Sequence, residues 1–180
     1  VLSSSVRRGS DISGFVLGLF VGATATAFAF VVVGSLVRAP FPLLVLQIVV
    51  AVSAVVLLLQ EFGVLKFPIL QNARLVPQFV TRIPFWGAVQ FGMEMGTGMR
   101  TYSPTALPHI MAISIVFLAS WQQALMAGIG FAMARAVMLL TFTVARNKME
   151  ADKAFYFELP RLRPLFAILA IPMVVLLVIG

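Results

Sequence analysis

The 180-residue sequence contains no cysteine. That excludes disulfides, thiolate metal sites, iron–sulfur clusters and any thiol redox chemistry carried by this chain. It has one histidine, His109, so a multi-histidine metal site within the chain is excluded as well. Acidic residues number only 6, and all charged residues together make up 11%. An ordinary soluble domain has about a quarter. Catalytic patterns are missing too. There is no Gly-x-Ser-x-Gly elbow, no Walker-type phosphate loop, and no partner carboxylate expected for Glu94 within the membrane. We therefore expect neither an enzyme nor a bound cofactor or metal.

What the sequence has in abundance is apolar surface. Hydrophobic residues make up 61%, and the mean hydropathy is +1.06. A bilayer core about 30 Å thick takes roughly 20 apolar residues per helical span. The composition therefore predicts a single all-α polytopic membrane domain over residues 1–180, with the lipid bilayer as its first partner. The net charge of +7 reads as a topology signal rather than a nucleic-acid footprint, because Lys and Arg collect on cytoplasmic loops.

Five apolar segments are expected to be helices, at about 13–37, 41–65, 85–118, 121–145 and 164–180. The first two are joined by Arg38-Ala39-Pro40-Phe41-Pro42, short enough for an antiparallel hairpin, and the third and fourth by a turn near Ala119-Ser120. If each segment crosses once, one side carries Arg7, Arg8, Lys66, Arg74, Arg82, Arg146, Lys148, Lys153, Arg161 and Arg163, and the other only Arg38. That asymmetry puts the N-terminus inside and the C-terminus outside. Trp86 and Trp121 open the third and fourth segments at opposite faces, where aromatic belts belong.

The third segment is too long for one ordinary crossing. In its middle lie Gly96, Gly98, Arg100, Tyr102 and Pro104, followed by Thr105, Pro108 and His109. Proline removes a helical hydrogen bond and clashes with the preceding turn, so a broken or re-entrant helix is expected. Irregular backbone at membrane depth is tolerated where it is buried in protein or lines a cavity. The competing reading is a long, tilted, kinked helix.

The stretch Phe91-Gly92-Met93-Glu94-Met95-Gly96-Thr97-Gly98, followed by Ser103-Pro104-Thr105-Ala106-Leu107-Pro108, resembles the second-repeat signature of the CcdA/DsbD-type transmembrane family. The signature of that family is a Gly-rich half-helix followed by Pro-Cys-x-x-Pro. Pro104 and Pro108 match the prolines, and Thr105 stands at the cysteine position. The following helix, with Gly128, Gly130, Ala134 and Arg135, is also similar, and the resemblance covers at most residues 85–180. It implies a partial inverted-repeat architecture in the bacterial cytoplasmic (inner) membrane, in a family that carries reducing equivalents across that membrane. Without cysteine this chain lacks the family's thiol–disulfide exchange. The resemblance thus implies a degenerate relative with five spans where the family usually has six. Solute exporters belong to the wider superfamily, which leaves transport open.

Several residues are candidates for function. Glu94 and Arg135 form a possible intramembrane charge pair: at ~1.5 Å per residue they lie about 14 and 17 Å from the same membrane face. Such a pair reads either as a coupling or substrate site or as an ion pair fixing helix register. Arg100, Tyr102 and His109 at the break read as an anion or proton site in a cavity, or as groups satisfied by freed carbonyls and a neighbouring helix. Met93, Met95 and Met99 offer thioethers to a soft ion such as Cu(I), or simply fill irregular gaps. Gly14, Gly18 and Gly22 form a small-xxx-small packing seam, within the chain or towards a partner. The loop 146–163 is a topology-fixing basic loop, an interfacial helix or a docking segment. Gln60, Glu61 and Lys66 are expected to cap the second helix. Two functions follow: a membrane subunit that scaffolds other subunits (or a homodimer) of a larger complex, or a small-solute or ion permease using the broken third helix.

Overall fold

A computed structural model of the chain describes residues 9–68, 83–98, 105–145, 164–172, 175, 178 and 179. Among them every regular element is helical. The helices are α1 (Gly9–Arg38), α2 (Leu43–Glu61), α3 (Trp86–Gly96), α4 (Leu107–Phe117) and α5 (Trp121–Ala145), with further helical residues at 164–172. Ser10–Arg38, Leu43–Glu61 and Trp121–Thr141 are each long and apolar enough to cross a membrane. Large apolar side chains stand exposed along these helices, Leu36, Leu44 and Met126 among them, as expected of surfaces that meet lipid rather than water.

The helix ends have local causes. Pro42, extended at φ −68° and ψ 151°, precedes the first residue of α2. At its other end Gly63 takes φ +77°. Its N–H donates to Gln60 O, and the Val64 N–H donates to Leu59 O, the paired bonds of a Schellman ending. This ending stops α2 at Glu61, four residues before the expected boundary at 65. α5 opens with a reciprocal capping box: Ser120 Oγ accepts from the Gln123 N–H, and Gln123 Oε1 accepts from the Ser120 N–H. Hydroxyls inside the apolar helices are satisfied locally. Thr24, Thr26 and Thr141 donate to carbonyls four residues back.

The apolar stretch 85–118 is two helices of eleven residues each rather than one. α3 ends at Gly96, and two residues on Gly98, at φ +72°, turns the chain away at no steric cost. α4 starts with Pro108 in its first turn, where the missing N–H costs nothing. Pro108 is therefore a starting residue and not a kink.

The chain divides into two compact units. The first contains α1 up to Ala27, α3, and α5 from Leu125. Its core is Phe15, Leu19, Ala23, Ala88, Phe91, Ala132, Ala136 and Leu139, with the Phe15 and Phe91 rings 5.5 Å apart and tilted by 50°. The second contains α1 from Phe28, α2, α4, and the opening of α5 through Ala124. Here α2 turns Leu46, Val50 and Ala54 inward, and α4 turns Ile110, Ser114 and Ile115 inward.

Candidate functional site

The glycine seam predicted on α1 is used inside the first unit. A Cβ at Gly14 would lie 2.8 Å from the Phe85 carbonyl oxygen. At Gly18 it would fall on the carbonyl of Val89, and at Gly22 on that of Met93. The contact moves four residues along each helix together, so α1 and α3 run parallel. α3 answers in kind. A Cβ at Gly92 would strike the Phe15 carbonyl, and at Gly96 it would lie 2.5 Å from Leu19 O and 2.9 Å from Ala23 N. Gly128 of α5 brings that helix to 3.0 Å from Ala23 O by the same measure. Small residues let helix backbones meet, and that contact drives packing where apolar burial cannot.

The entry to α3 is held by α1. Phe85 has φ +60° and ψ −63°, a γ-turn closed by the Trp86 N–H donating to Pro84 O at 2.7 Å. For a bulky residue this conformation is strained. Asp11 fixes it: its Oδ1 accepts the Phe85 N–H at 3.0 Å. No sequence pattern linked Asp11 with Phe85, 74 positions away.

Glu94 on α3 and Arg135 on α5 both belong to this unit and are half-buried. The Arg135 guanidinium lies over the Phe131 ring, 4.8 Å from its centroid, a cation–π arrangement that partly offsets desolvation. Near Glu94, Thr97 Oγ1 donates to its backbone carbonyl at 2.7 Å as α3 ends. Gly96 and Gly98 form that end, and a Cβ at Gly98 would come within 3.6 Å of the Phe131 ring. The first unit thus brings the break side of α3 and the cationic turn of α5 to the same aromatic ring. Met93 and Met95 both lie on α3, Met93 exposed and Met95 packed against the core. Arg100, Tyr102, Pro104 and Met99 lie outside the described residues, as does the loop 146–163.

The second unit has a different site. The α4 N-cap, Ala106, is fully buried and has no side chain that can cap. Glu61, from the end of α2, supplies the acceptor: its Oε1 takes the Ala106 N–H. At the other end of α4, the Arg38 guanidinium donates to Ala119 O at 2.8 Å while its Nε donates to Gly34 O at 3.1 Å. Gly34 lets α1 approach so closely that a Cβ there would strike the Val116 carbonyl. Negative charge at a helix N-terminus and positive charge at its C-terminus both interact favourably with the helix dipole. An eleven-residue helix is marginal alone, and this one is clamped at both ends.

The expectation that Gln60, Glu61 and Lys66 cap α2 is corrected here. Gln60 Nε2 donates to Phe67 O at 2.9 Å, Glu61 serves α4, and the α2 cap is made by backbone alone. Thr105 and Ala106 immediately precede α4, and His109 lies in its first turn with its N–H donating to Ala106 O at 2.9 Å. His109 is thus about 15 Å along the axis from Ala119, at ~1.5 Å per residue. Among the described residues no group of three or more His, Cys, Asp or Glu side chains is placed to hold a metal ion.

No family model, curated protein or solved structure matches this chain. Its chemistry must be read from the geometry.

Proposed function

We propose that the chain is an integral protein of a bacterial cytoplasmic membrane, crossing it five times with the N-terminus inside and the C-terminus outside. We further propose that it works as a permease for a small polar solute or ion. One observation carries this reading: the third apolar segment is two eleven-residue helices, α3 and α4. In each unit the half-helix follows the direction of the α1 residues it packs on, Gly14 to Gly22 for α3 and Gly34 to Arg38 for α4. Transporters place their binding sites at interrupted helices. Glu94 and Arg135 supply the charged groups, which inside a membrane are costly and usually functional. The resemblance to the CcdA/DsbD-type family agrees with this architecture, and the absence of cysteine moves the cargo from electrons to a solute. A second copy would complete the inverted repeat.

Scaffolding of a larger complex has less support, because the glycine seam that suited it is occupied by α3. One feature still favours it. Gly130 on α5 has no atom within 4 Å of an added Cβ, and Ala134, one turn on, is also exposed. A face of this kind suits another helix.

The test is reconstitution into liposomes, with osmotic shrinkage followed by light scattering against a panel of amino acids, monocarboxylates and alkali chlorides. The permease reading expects at least one solute to equilibrate several-fold faster than in protein-free liposomes, and Glu94→Gln or Arg135→Gln to abolish the gain without loss of folded protein. Protein-free rates for the entire panel, with a stoichiometric membrane partner retained on mild solubilisation, would replace it with the scaffold.

A further inference from the structure

We propose that Glu61 is a proton-sensitive latch on α4: as a carboxylate it holds the N-terminus of the half-helix, and on protonation it lets that end open. The inference deepens the permease reading, since it assigns the moving end of the interrupted segment and the ion that controls it, but its test does not require transport.

The argument starts from distances along the helices. α4 and its flanks run from Ala106 to Ala119, about 20 Å at ~1.5 Å per residue. Ala119 sits beside Arg38 at the hairpin turn between α1 and α2. With that turn at one membrane face, the α4 N-terminus lies about two-thirds of the way through a core about 30 Å thick. α2 runs antiparallel for about 27 Å from Leu43 to Glu61, so the Glu61 side chain reaches back to Ala106 from near the opposite face. No other side chain is bonded to the α4 N-cap among the described residues. The first turn of any helix leaves backbone N–H groups unsatisfied, and inside a membrane water does not reach them freely. A carboxylate meets that need with a charge-assisted bond and a favourable dipole interaction. A carboxylic acid keeps only a neutral acceptor.

The two ends of α4 therefore respond differently to protons. The Arg38 guanidinium stays charged at any physiological pH, so the Ala119 end is a fixed hinge. The Ala106 end rests on the Glu61 carboxylate. Among the described residues of this unit, α4 brings His109 in its first turn, α1 brings Arg38 at the far end, and the segment after α2 brings Lys66, exposed. Loss of the Glu61 bond frees the break side of α4 while Arg38 retains the other.

The absence of cysteine makes the test direct. A nitroxide is attached at Thr105→Cys, beside the latch, and separately at Ser120→Cys, at the Arg38 end, in the purified full chain in nanodiscs. Spectra are recorded at pH 8 and pH 4. The mobile fraction at position 105 should at least double at pH 4, while that at 120 stays constant. In a Glu61→Gln background the 105 label should be mobile at both pH values. His109→Gln should leave most of the response in place. An unchanged 105 spectrum in the native background would overturn the latch, as would a response that survives Glu61→Gln or equal loosening at 105 and 120. If Glu61→Gln does not fold, Glu61→Asp replaces it, and its shorter reach should raise the mobile fraction at pH 8. An unchanged pH 8 value there would overturn the latch too. A pH response without solute flux in any assay would leave the latch standing and remove the permease.

Discussion

The two units solve the same problem by different means. Both must join helices where burial of apolar surface gains little. The first does so by removing side chains: Gly14, Gly18 and Gly22 meet the α3 backbone, and Gly92 and Gly96 meet that of α1. The second does so with charge at helix ends, Glu61 at the start of α4 and Arg38 at its finish. Close backbone contact is short-ranged and indifferent to protons. A charge clamp is tuned by protonation and by what surrounds it. The first unit therefore rests on close backbone contact and the second on charge placed at helix ends.

The sharpest way to break this comparison is Gly18→Leu. A side chain there has to displace the Val89 carbonyl and the Met93 backbone, and overpacking of this kind costs about 3 kcal/mol or more. We expect loss of the monodisperse folded species in size-exclusion chromatography of the detergent-solubilised protein. Retention of the native peak and melting temperature would show that the seam is loose.

Next in size is Arg38→Gln. Charge-assisted hydrogen bonds are worth about 1.5–3 kcal/mol, so a melting temperature lower by several degrees is expected, with Arg38→Lys recovering only part because lysine lacks the fork that spans two carbonyls. Equal stability of Lys and Arg variants would mean that charge alone matters there.

Asp11→Ala removes the acceptor that steadies Phe85 and should cost about 1–3 kcal/mol, whereas Asp11→Asn retains an oxygen and should cost less. Changing Phe85 to glycine relieves the positive φ and should narrow the gap between Asp11→Ala and the native residue at that position. If Asp11→Ala is equally costly in both backgrounds, the strain at Phe85 is not what Asp11 opposes.

The smallest effect is expected from Gly130→Ala. It meets open space and replaces a poor helix former, so stability should change by less than about 1 kcal/mol, in the stabilising direction. The same substitution at Gly128, where an added Cβ meets Ala23 and Ala27, should be destabilising. That pair, two residues apart on one helix, separates packing from propensity.

Much of the fold is legible in the sequence because its signals are local. The expected fourth segment, 121–145, matches α5 residue for residue, since Ser120 and Gln123 form a capping box within four positions. The break in the third segment follows from Gly98 and Pro108, whose backbone requirements do not depend on neighbours. The seam on α1 was visible as a spacing, but its partner was not. Gly92 and Gly96 complete it only once the parallel register is known. The site was less legible because its contacts are long-range: Asp11 with Phe85 and Glu61 with Ala106 join positions 74 and 45 apart, and nothing local marks either pair. Glu61 looked like a cap for its own helix because side chains near a helix end usually serve that end.

The parallel register of α1 and α3 also bears on biosynthesis. α1 and α3 point the same way, and α2 is made between them. Gly14 meets Phe85 and Gly22 meets Met93, so the glycine face of α1 waits while some seventy residues are added. At about 5–20 residues per second of synthesis, that wait lasts roughly 4–14 s. During it the groove of the newborn helix is open to any passing helix with small residues of its own. Correct assembly of this protein is therefore a matter of timing as well as of fit.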